Sequence, residues 1–282
     1  MNKERWMDFF RISALDVTQE EIEEFRESGF IFKRDVLDSE SCNALRLEIA
    51  QLFQGSFSKQ TYPDEWYWRE EISKPDATRH MSNSWKSSYL MERIALWDGF
   101  GRLVLTLGDW SGARLAMDTL WWKTAGGKPI AFHQDTSFME CFTPARTITV
   151  WITLTDTAAS VGTLEYAKGS HNWPLCAPPK QFHALSDYRA PMLAAANAAD
   201  IEEKNIQVVP VELCSGSISI HSGELWHGSG HNVSLNEERI AIGLHYLPYN
   251  VVFNELGKGY IFRRYQINGS TALNDTFFPR VA

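Results

Sequence analysis

The spacing of apolar residues divides the chain into a helical beginning and a β-rich remainder. In "TQEEIEEFRESGFIF", Ile22 and Phe25 fall on one face of a helix among acidic residues, the pattern of an amphipathic helix. Thr18 followed by Glu21 forms a capping-box start, Gly29 supplies a stop, and Phe30 to Phe32 begin a short strand. A second helix is expected over "DSESCNALRLEIAQLF", capped by Asp38 or Ser39, with Leu45, Ile49 and Leu52 on one side. Residues 54–88 lose this periodicity. They read as a long irregular loop in which "YPDEWYWREE" and "RHMSNSWKSSY" mix turn residues with aromatics. Loops of that length in a compact protein often bind or cover a ligand. A third helix is expected near residues 89–107.

The pattern then becomes strand-like. "RLAMDTLWWKT", "PIAFHQD", "RTITVWITLTD", "TLEYAKGSH", "IQVVPVEL", "SISIHSG" and "RIAIGLHYL" are short β-type runs separated by turns. A long excursion from Asn172 to Lys204 carries Pro174, Pro178 and Pro179, then an Ala-rich helical piece near 190–203. No linker, repeat or low-complexity segment interrupts the chain. The expected class is mainly β with flanking α: N-terminal helices followed by a double sheet closed as a jelly roll or barrel. One domain is expected over residues 1–282, with a helical part at 1–110, a core at about 112–250 and a C-terminal extension at 251–282.

Two strands leave their orientation open. In "TITVWITL", Ile148, Val150, Ile152 and Leu154 oppose Thr147, Thr149, Trp151 and Thr153. In "RIAIGLHY", Arg239, Ala241 and Gly243 oppose Ile240, Ile242 and Leu244. The polar faces meet solvent in an ordinary sandwich, or line a cavity in a barrel with an internal site.

Composition narrows the partners. The balance of 27 basic against 35 acidic residues, net −8, disfavours nucleic acid and anionic membranes. Cys42, Cys141, Cys176 and Cys214 form no CxxC pair, so free thiols in a reducing compartment fit better than a disulfide framework. The N-terminal "MNKERWMDFFRISALD" has no sustained apolar run, and "FFPRVA" carries no retention or peroxisomal signal. A cytoplasmic protein with a small-molecule partner is expected.

The chemistry concentrates at "AFHQDTSF". In a strand, residues i and i+2 share a face, so His133 and Asp135 offer two metal ligands to one side. A third ligand would come from "SISIHSGELWHGSGHNVSLNEERIAIGLHY", where His221, His227 and His231 compete.

The stretch "HGSGHNVSLNEER" places His227, Ser229, Asn232 and Ser234 in the order H-x-S-x-x-N-x-S, with Arg239 twelve residues after the histidine. Together with "HQD", with "ITVWITLTDTAASVGTLEYAKGSHNWP" and with the helix pair "EEIEEFRESGFIFKRDVLDSESCNALRLEI", this resembles the phytanoyl-CoA dioxygenase (PhyH) family of Fe(II)- and 2-oxoglutarate-dependent oxygenases. The resemblance runs from about residue 18 to 248. It implies a double-stranded β-helix core, with Fe(II), 2-oxoglutarate and O2 as cofactor and cosubstrates. It implies His133, Asp135 and His227 as the facial triad. Arg239 would be the bidentate partner of the distal carboxylate of 2-oxoglutarate, with Ser229, Trp151 and Lys123 beside it.

Related halogenases replace the triad carboxylate with Ala or Gly. Asp135 therefore favours oxidation of a substrate C–H bond, by hydroxylation, desaturation, ring closure or oxidative dealkylation, with release of succinate and CO2. For the substrate, the expectation is a small polar or semi-polar natural product. Phe138 and Met139 follow the HxD turn; Trp66, Arg69, Arg79 and His80 lie in the long loop that would cover the site. Two other readings compete: a metabolite-binding relative without turnover, and a cupin-type isomerase or hydrolase, which would need no arginine for 2-oxoglutarate.

Overall fold

A computed structural model describes residues 15–282 of the chain. The N-terminal reading of residues 1–14 lies outside the described residues. Helix α1, Gln19–Ser28, starts at the expected box: Thr18 Oγ1 accepts from the Glu21 amide at 3.2 Å, and the Thr18 amide donates to Glu21 Oε2 at 2.8 Å. It ends at Gly29, whose φ of 85° is the left-handed cap that glycine adopts without strain. Strand β1, Phe30–Lys33, follows, then α2, Ser39–Phe53, capped by Asp38 rather than Ser39.

The segment read as an irregular loop contains two strands, β2 at Glu65–Trp66 and β3 at Arg79–Ser82. Aromatic packing holds them, which turn-residue content does not reveal. Trp66 packs edge-on against Phe57, and Arg79 lies 4.0 Å from the rings of both Trp68 and Trp122. The single helix expected near 89–107 is two, α3 at Tyr89–Ala95 and α4 at Asp98–Gly108, broken at Leu96 and Trp97.

The strands that follow are β4 (Ala113–Lys123), β5 (Ile130–His133), β6 (Phe142–Thr143), β7 (Ile148–Thr153), β8 (Leu164–Ala167), β9 (Val208–Pro210), β10 (Ile218–Ser222), β11 (His227–Ser229), β12 (Arg239–Pro248) and β13 (Val252–Phe253). The Ala-rich helix α5 is shorter than expected, Ala190–Ala198. A seven-stranded sheet has the order β1-β10-β7-β12-β4-β3-β2, and a four-stranded sheet has the order β5-β11-β8-β9. All the registers in them are antiparallel. This is the double-stranded β-helix, mainly β with flanking helices.

The open question about strand faces resolves by layer. Ile148, Val150, Ile152, Ile240, Ile242 and Leu244 pack with Leu45, Ile49 and Leu52 of α2 and with Phe100, Leu103 and Val104 of α4. The helices therefore cover the outer face of the large sheet, and burying that apolar surface contributes roughly 25 cal/mol per Å2. The opposite faces, with Thr149, Trp151, Arg239 and Gly243, line a cavity between the two sheets. The polar positions point inward, as in a barrel with an internal site. Among the described residues no helix is long and apolar enough to cross a membrane.

Candidate active site

Strand register closes the site. His227, at the start of β11, pairs directly with His133 at the end of β5, which joins residues far apart in sequence. The chain leaves the strand after His133 and forms a short 3-10 turn at Asp135–Phe138. Asp135 thus reaches the histidines from a turn rather than from the same strand face. One ligand atom from each of His133, Asp135 and His227 lies within 4.8 Å of the other two. Asp135 Oδ1 stands 3.4 Å from each of the two Nε2 atoms.

Backbone carbonyls fix both imidazoles. His133 Nδ1 is 2.9 Å from the Ala131 oxygen, and His227 Nδ1 is 2.9 Å from the Leu225 oxygen. A carbonyl can only accept, so each Nδ1 carries the proton and each Nε2 keeps its lone pair for a metal.

The other oxygen of Asp135 is held by protein. Thr149 Oγ1 donates to Oδ2 at 2.6 Å, and His221 Nε2 and His245 Nδ1 stand 3.3 Å from it. Thr149 has spent its only proton, so it accepts from His245 Nδ1–H at 2.9 Å. That leaves His245 Nε2 to accept from Thr119 Oγ1 at 3.3 Å, and Thr119 in turn accepts from Trp121 Nε1 at 3.1 Å. A continuous donor chain runs from Trp121 to the carboxylate and leaves Oδ1 facing the two histidines. Burial by itself would raise the Asp135 carboxyl; the surrounding imidazoles, His227 and His245 foremost, outweigh it and hold it well below the usual carboxylate range.

The far end of the cavity is built for an anion. Arg239 is 1% exposed, and its Nε and Nη1 have no hydrogen-bond partner, nor has the buried Nε1 of Trp151, whose ring lies 5.6 Å from the guanidinium. Burial pushes the Arg239 guanidinium down to about 10. Lys123 Nζ donates to Ser229 Oγ at 2.7 Å and to the Gly230 carbonyl at 2.6 Å. Ser229 accepts that proton, so its own O–H is free to donate into the cavity it lines. A side chain at Gly243 would meet Thr119 Oγ1 at 2.6 Å and His245 Nε2 at 3.4 Å, so glycine leaves room for the hydrogen bonds around His245.

A family model described as Phytanoyl-CoA dioxygenase (PhyH) matches residues 25–241. The chain belongs to the phytanoyl-CoA dioxygenase family. Three solved structures are similar at low identity, which establishes the shared fold. One is the epimerase SnoN from nogalamycin biosynthesis in complex with Fe3+, alpha ketoglutarate and nogalamycin RO (19% identity, covering 93% of this chain and 97% of that one, TM-score 0.69). Another is the alpha ketoglutarate dependent carbocyclase SnoK from the same biosynthesis (18%, 96% and 98%, TM-score 0.70). A third is EctD from S. alaskensis with 2-oxoglutarate and 5-hydroxyectoine (15%, 91% and 88%, TM-score 0.68). No curated protein sequence matches the chain.

As a PhyH-family member the chain is an enzyme of the Fe(II)/2-oxoglutarate-dependent class, with Fe(II), 2-oxoglutarate and O2 as cofactor and cosubstrates. Its residues fit both groups. The inward Nε2 atoms and Asp135 Oδ1 are a hard N2O donor set, and the unpartnered donors of Arg239 and Trp151 sit in the wall of the same cavity.

The remaining sequence-derived candidates divide. Phe138, Met139 and His80 line the cavity of about 320 Å3. Trp66 and Arg79 do not: Trp66 packs on Phe57, and Arg79 is clamped between two indoles, so both hold the β2–β3 hairpin to the sheet. Lys123 also lies outside the lining, its ammonium committed to Ser229 and Gly230 across the gap between sheets. Burial, reinforced by Arg239 and opposed by Glu165, pushes that ammonium well below the ordinary lysine value.

Sequence reasoning missed His245, Tyr67, Trp121, Phe182, His183 and Tyr260, all in the cavity wall. His245 was accessible, because the alternation that turns Arg239, Ala241 and Gly243 inward continues to it. Phe182 and His183 come from the Pro-rich excursion and Tyr260 from the C-terminal extension, where no periodicity marks an inward face.

Proposed function

We propose that this protein is an Fe(II)/2-oxoglutarate-dependent dioxygenase that oxidises a C–H bond of a small-molecule metabolite, releasing succinate and CO2, in the tailoring of a specialised product. His133, Asp135 and His227 hold the iron. Arg239 grips the distal carboxylate of 2-oxoglutarate with its planar fork, Ser229 and Trp151 add donors, and Lys123 positions Ser229. Bound iron supplies the activation of O2 that couples decarboxylation of the cosubstrate to substrate oxidation. Thr149, His245 and His221 keep Asp135 ionised and correctly turned, and the cavity wall limits entry of water.

One observation carries this reading: a buried arginine with unpartnered donors lines the same cavity as a buried two-histidine, one-carboxylate cluster. A cupin isomerase or hydrolase has no use for that arginine, and a binding protein without turnover has no use for three oriented ligands. The similar structures include an epimerase and a carbocyclase, so outcomes beyond hydroxylation belong to the proposal. The test is succinate formation from 2-oxoglutarate by the Fe(II)-loaded protein, with and without a metabolite panel. Succinate above the protein-free rate, increased by at least one metabolite that is itself oxidised, is expected. No succinate under any condition would refute the reading.

A further inference from the structure

The outer half of the cavity differs from its floor. Among the described residues, Asp135 and Arg239 are the only Asp, Glu, Lys or Arg side chains in the lining, and the reading above commits them to iron and to 2-oxoglutarate. What remains for the substrate is a throat of six rings: Tyr67, Trp121, Phe138, Phe182, His183 and Tyr260. Phe182 stands 4.7 Å from His133 and 5.7 Å from Phe138, and Phe138 stands 6.1 Å from Tyr260, centroid to centroid. This aromatic wall therefore begins beside a proposed metal ligand and runs to the mouth. Trp121, 6.1 Å from Phe182, continues this wall; it stacks on His80 at 4.1 Å, and His80 on Tyr67 at 5.4 Å.

The phenol groups of the throat are turned away from the substrate. Tyr67 donates to Glu65 Oε1 at 2.6 Å, and Tyr260 donates to the other oxygen of the same carboxylate, which also accepts from Ser82 at 2.9 Å. One acid thus ties the N-terminal hairpin to the C-terminal segment across the mouth. Tyr260 is held there with φ of 40°, a conformation that a bulky residue adopts only when its surroundings enforce it. Tyr260 lies beyond the family-matched residues 25–241, and the other five rings lie within them. His80 adds no charge, since burial lowers it to about 3. One polar handle remains: the buried Nδ1 of His80, in the cavity wall, has no partner.

We infer that the substrate is an uncharged molecule with a flat aromatic or conjugated portion, seated against the rings of the throat with Phe182 at the end nearest His133. The inference rests on the oxygenase reading for the assignment of Asp135 and Arg239. It narrows the expectation of a small polar or semi-polar natural product. Among the described residues, no Asp, Glu, Lys or Arg is left in the throat to pair with a substrate charge, whereas flat neutral surfaces gain from offset or edge contacts with its rings.

The test uses the full-length protein loaded with Mn(II) and 2-oxoglutarate without O2, and ligand-observed NMR with four probes of similar size. These are 2-naphthol (flat, neutral), 2-decalol (saturated, neutral), 2-naphthoate (anionic) and 2-(aminomethyl)naphthalene (cationic). Binding of 2-naphthol at least tenfold tighter than the other three is expected, with Mn(II)-enhanced relaxation of its protons. Phe182→Leu keeps the apolar volume without the ring and should bring 2-naphthol and 2-decalol to within about threefold; a thermal melt confirms folding. Equal or tighter binding of 2-decalol or of either ion overturns the inference, as does no 2-naphthol binding at millimolar concentration. Retained preference in Phe182→Leu overturns the seat. Binding of 2-oxoglutarate is titrated separately in the same samples, so failure of the oxygenase reading is seen independently of the probe ranking.

Discussion

Replacing Arg239 with Met should make the protein without 2-oxoglutarate more stable and deprive it of its cosubstrate. The guanidinium is 1% exposed and has two nitrogens without partners. Its fall from 12.5 to about 10 is caused by burial. The sign follows from linkage. A base whose folded value lies below its unfolded value binds its proton more weakly when folded, so at neutral pH the charge penalises the folded state. A fall of that size corresponds to a penalty on the order of 3 kcal/mol. Met keeps most of the volume without the charge, so the melting temperature should rise by a few degrees. With 2-oxoglutarate the order reverses. The wild-type arginine gains its carboxylate, and a hundredfold excess over Kd should stabilise the protein by about 2.7 kcal/mol. Arg239→Met should show almost no such shift. Breaking a buried pair costs ~3–5 kcal/mol, roughly a hundredfold to a few thousandfold in affinity. Arg239→Lys should recover only part of this, because an ammonium cannot form the fork. Calorimetric titration of 2-oxoglutarate into the Mn(II)-loaded protein, with paired melts, measures both halves. If Arg239→Met melts below wild type without cosubstrate and is still stabilised by 2-oxoglutarate, the assignment of Arg239 is refuted.

His133→Ala, Asp135→Ala and His227→Ala should each abolish succinate formation and weaken iron binding without unfolding the protein; full activity in His227→Ala with loss in His221→Ala would move the ligand to His221. Thr149→Val removes the hydroxyl that donates to Asp135 Oδ2 at 2.6 Å and should lower iron affinity about 10- to 100-fold. Thr149→Ser should restore that affinity; equal affinities in Val and Ser variants would limit Thr149 to packing. Arg79→Ala removes a cation flanked by two indoles at 4.0 Å, each contact contributing ~0.5–2 kcal/mol. It should lower the melting temperature while leaving the Kd for 2-oxoglutarate unchanged, and a loss of cosubstrate affinity at an unchanged melt would place Arg79 at the site after all.

The fold and the site floor were legible because they rest on local chemistry. The capping box at Thr18 and Glu21, the period-two strands and the change of period near residue 113 are encoded within a few residues of one another. Alternation in "TITVWITL" and "RIAIGLHY" located two faces but not their direction. Direction depends on what covers the sheet, and helices α2 and α4 take the isoleucine faces as their partner. Once that is known, Thr149, Trp151, Arg239 and His245 all follow as inward residues.

The throat was illegible for a different reason. Its walls come from segments with no periodic pattern: Tyr67 beside β2, Phe182 and His183 from the Pro-rich excursion, and Tyr260 from beyond β13. What brings them together is long-range, above all the Glu65 carboxylate that accepts from Tyr67 and Tyr260, residues on opposite sides of the core in sequence. Asp64 repeats the arrangement next door, taking the Tyr265 hydroxyl while pairing with Lys86 at 2.9 Å. Two adjacent acids in "YPDEWYW" thus fasten the C-terminal segment over the site. An aromatic-rich loop read by itself suggests a lid that closes on substrate. Here the same loop gives Trp66 and Arg79 to the sheet, Tyr67 to the cavity, and Asp64 and Glu65 to the C-terminal segment. The proposed floor for iron and cosubstrate takes His133, His227 and Arg239 from strands and Asp135 from the turn after β5, so its geometry is fixed largely by backbone pairing. The throat is built from side chains meeting across loops, so sequence change can alter substrate choice there while the strands that carry the proposed metal ligands stay as they are.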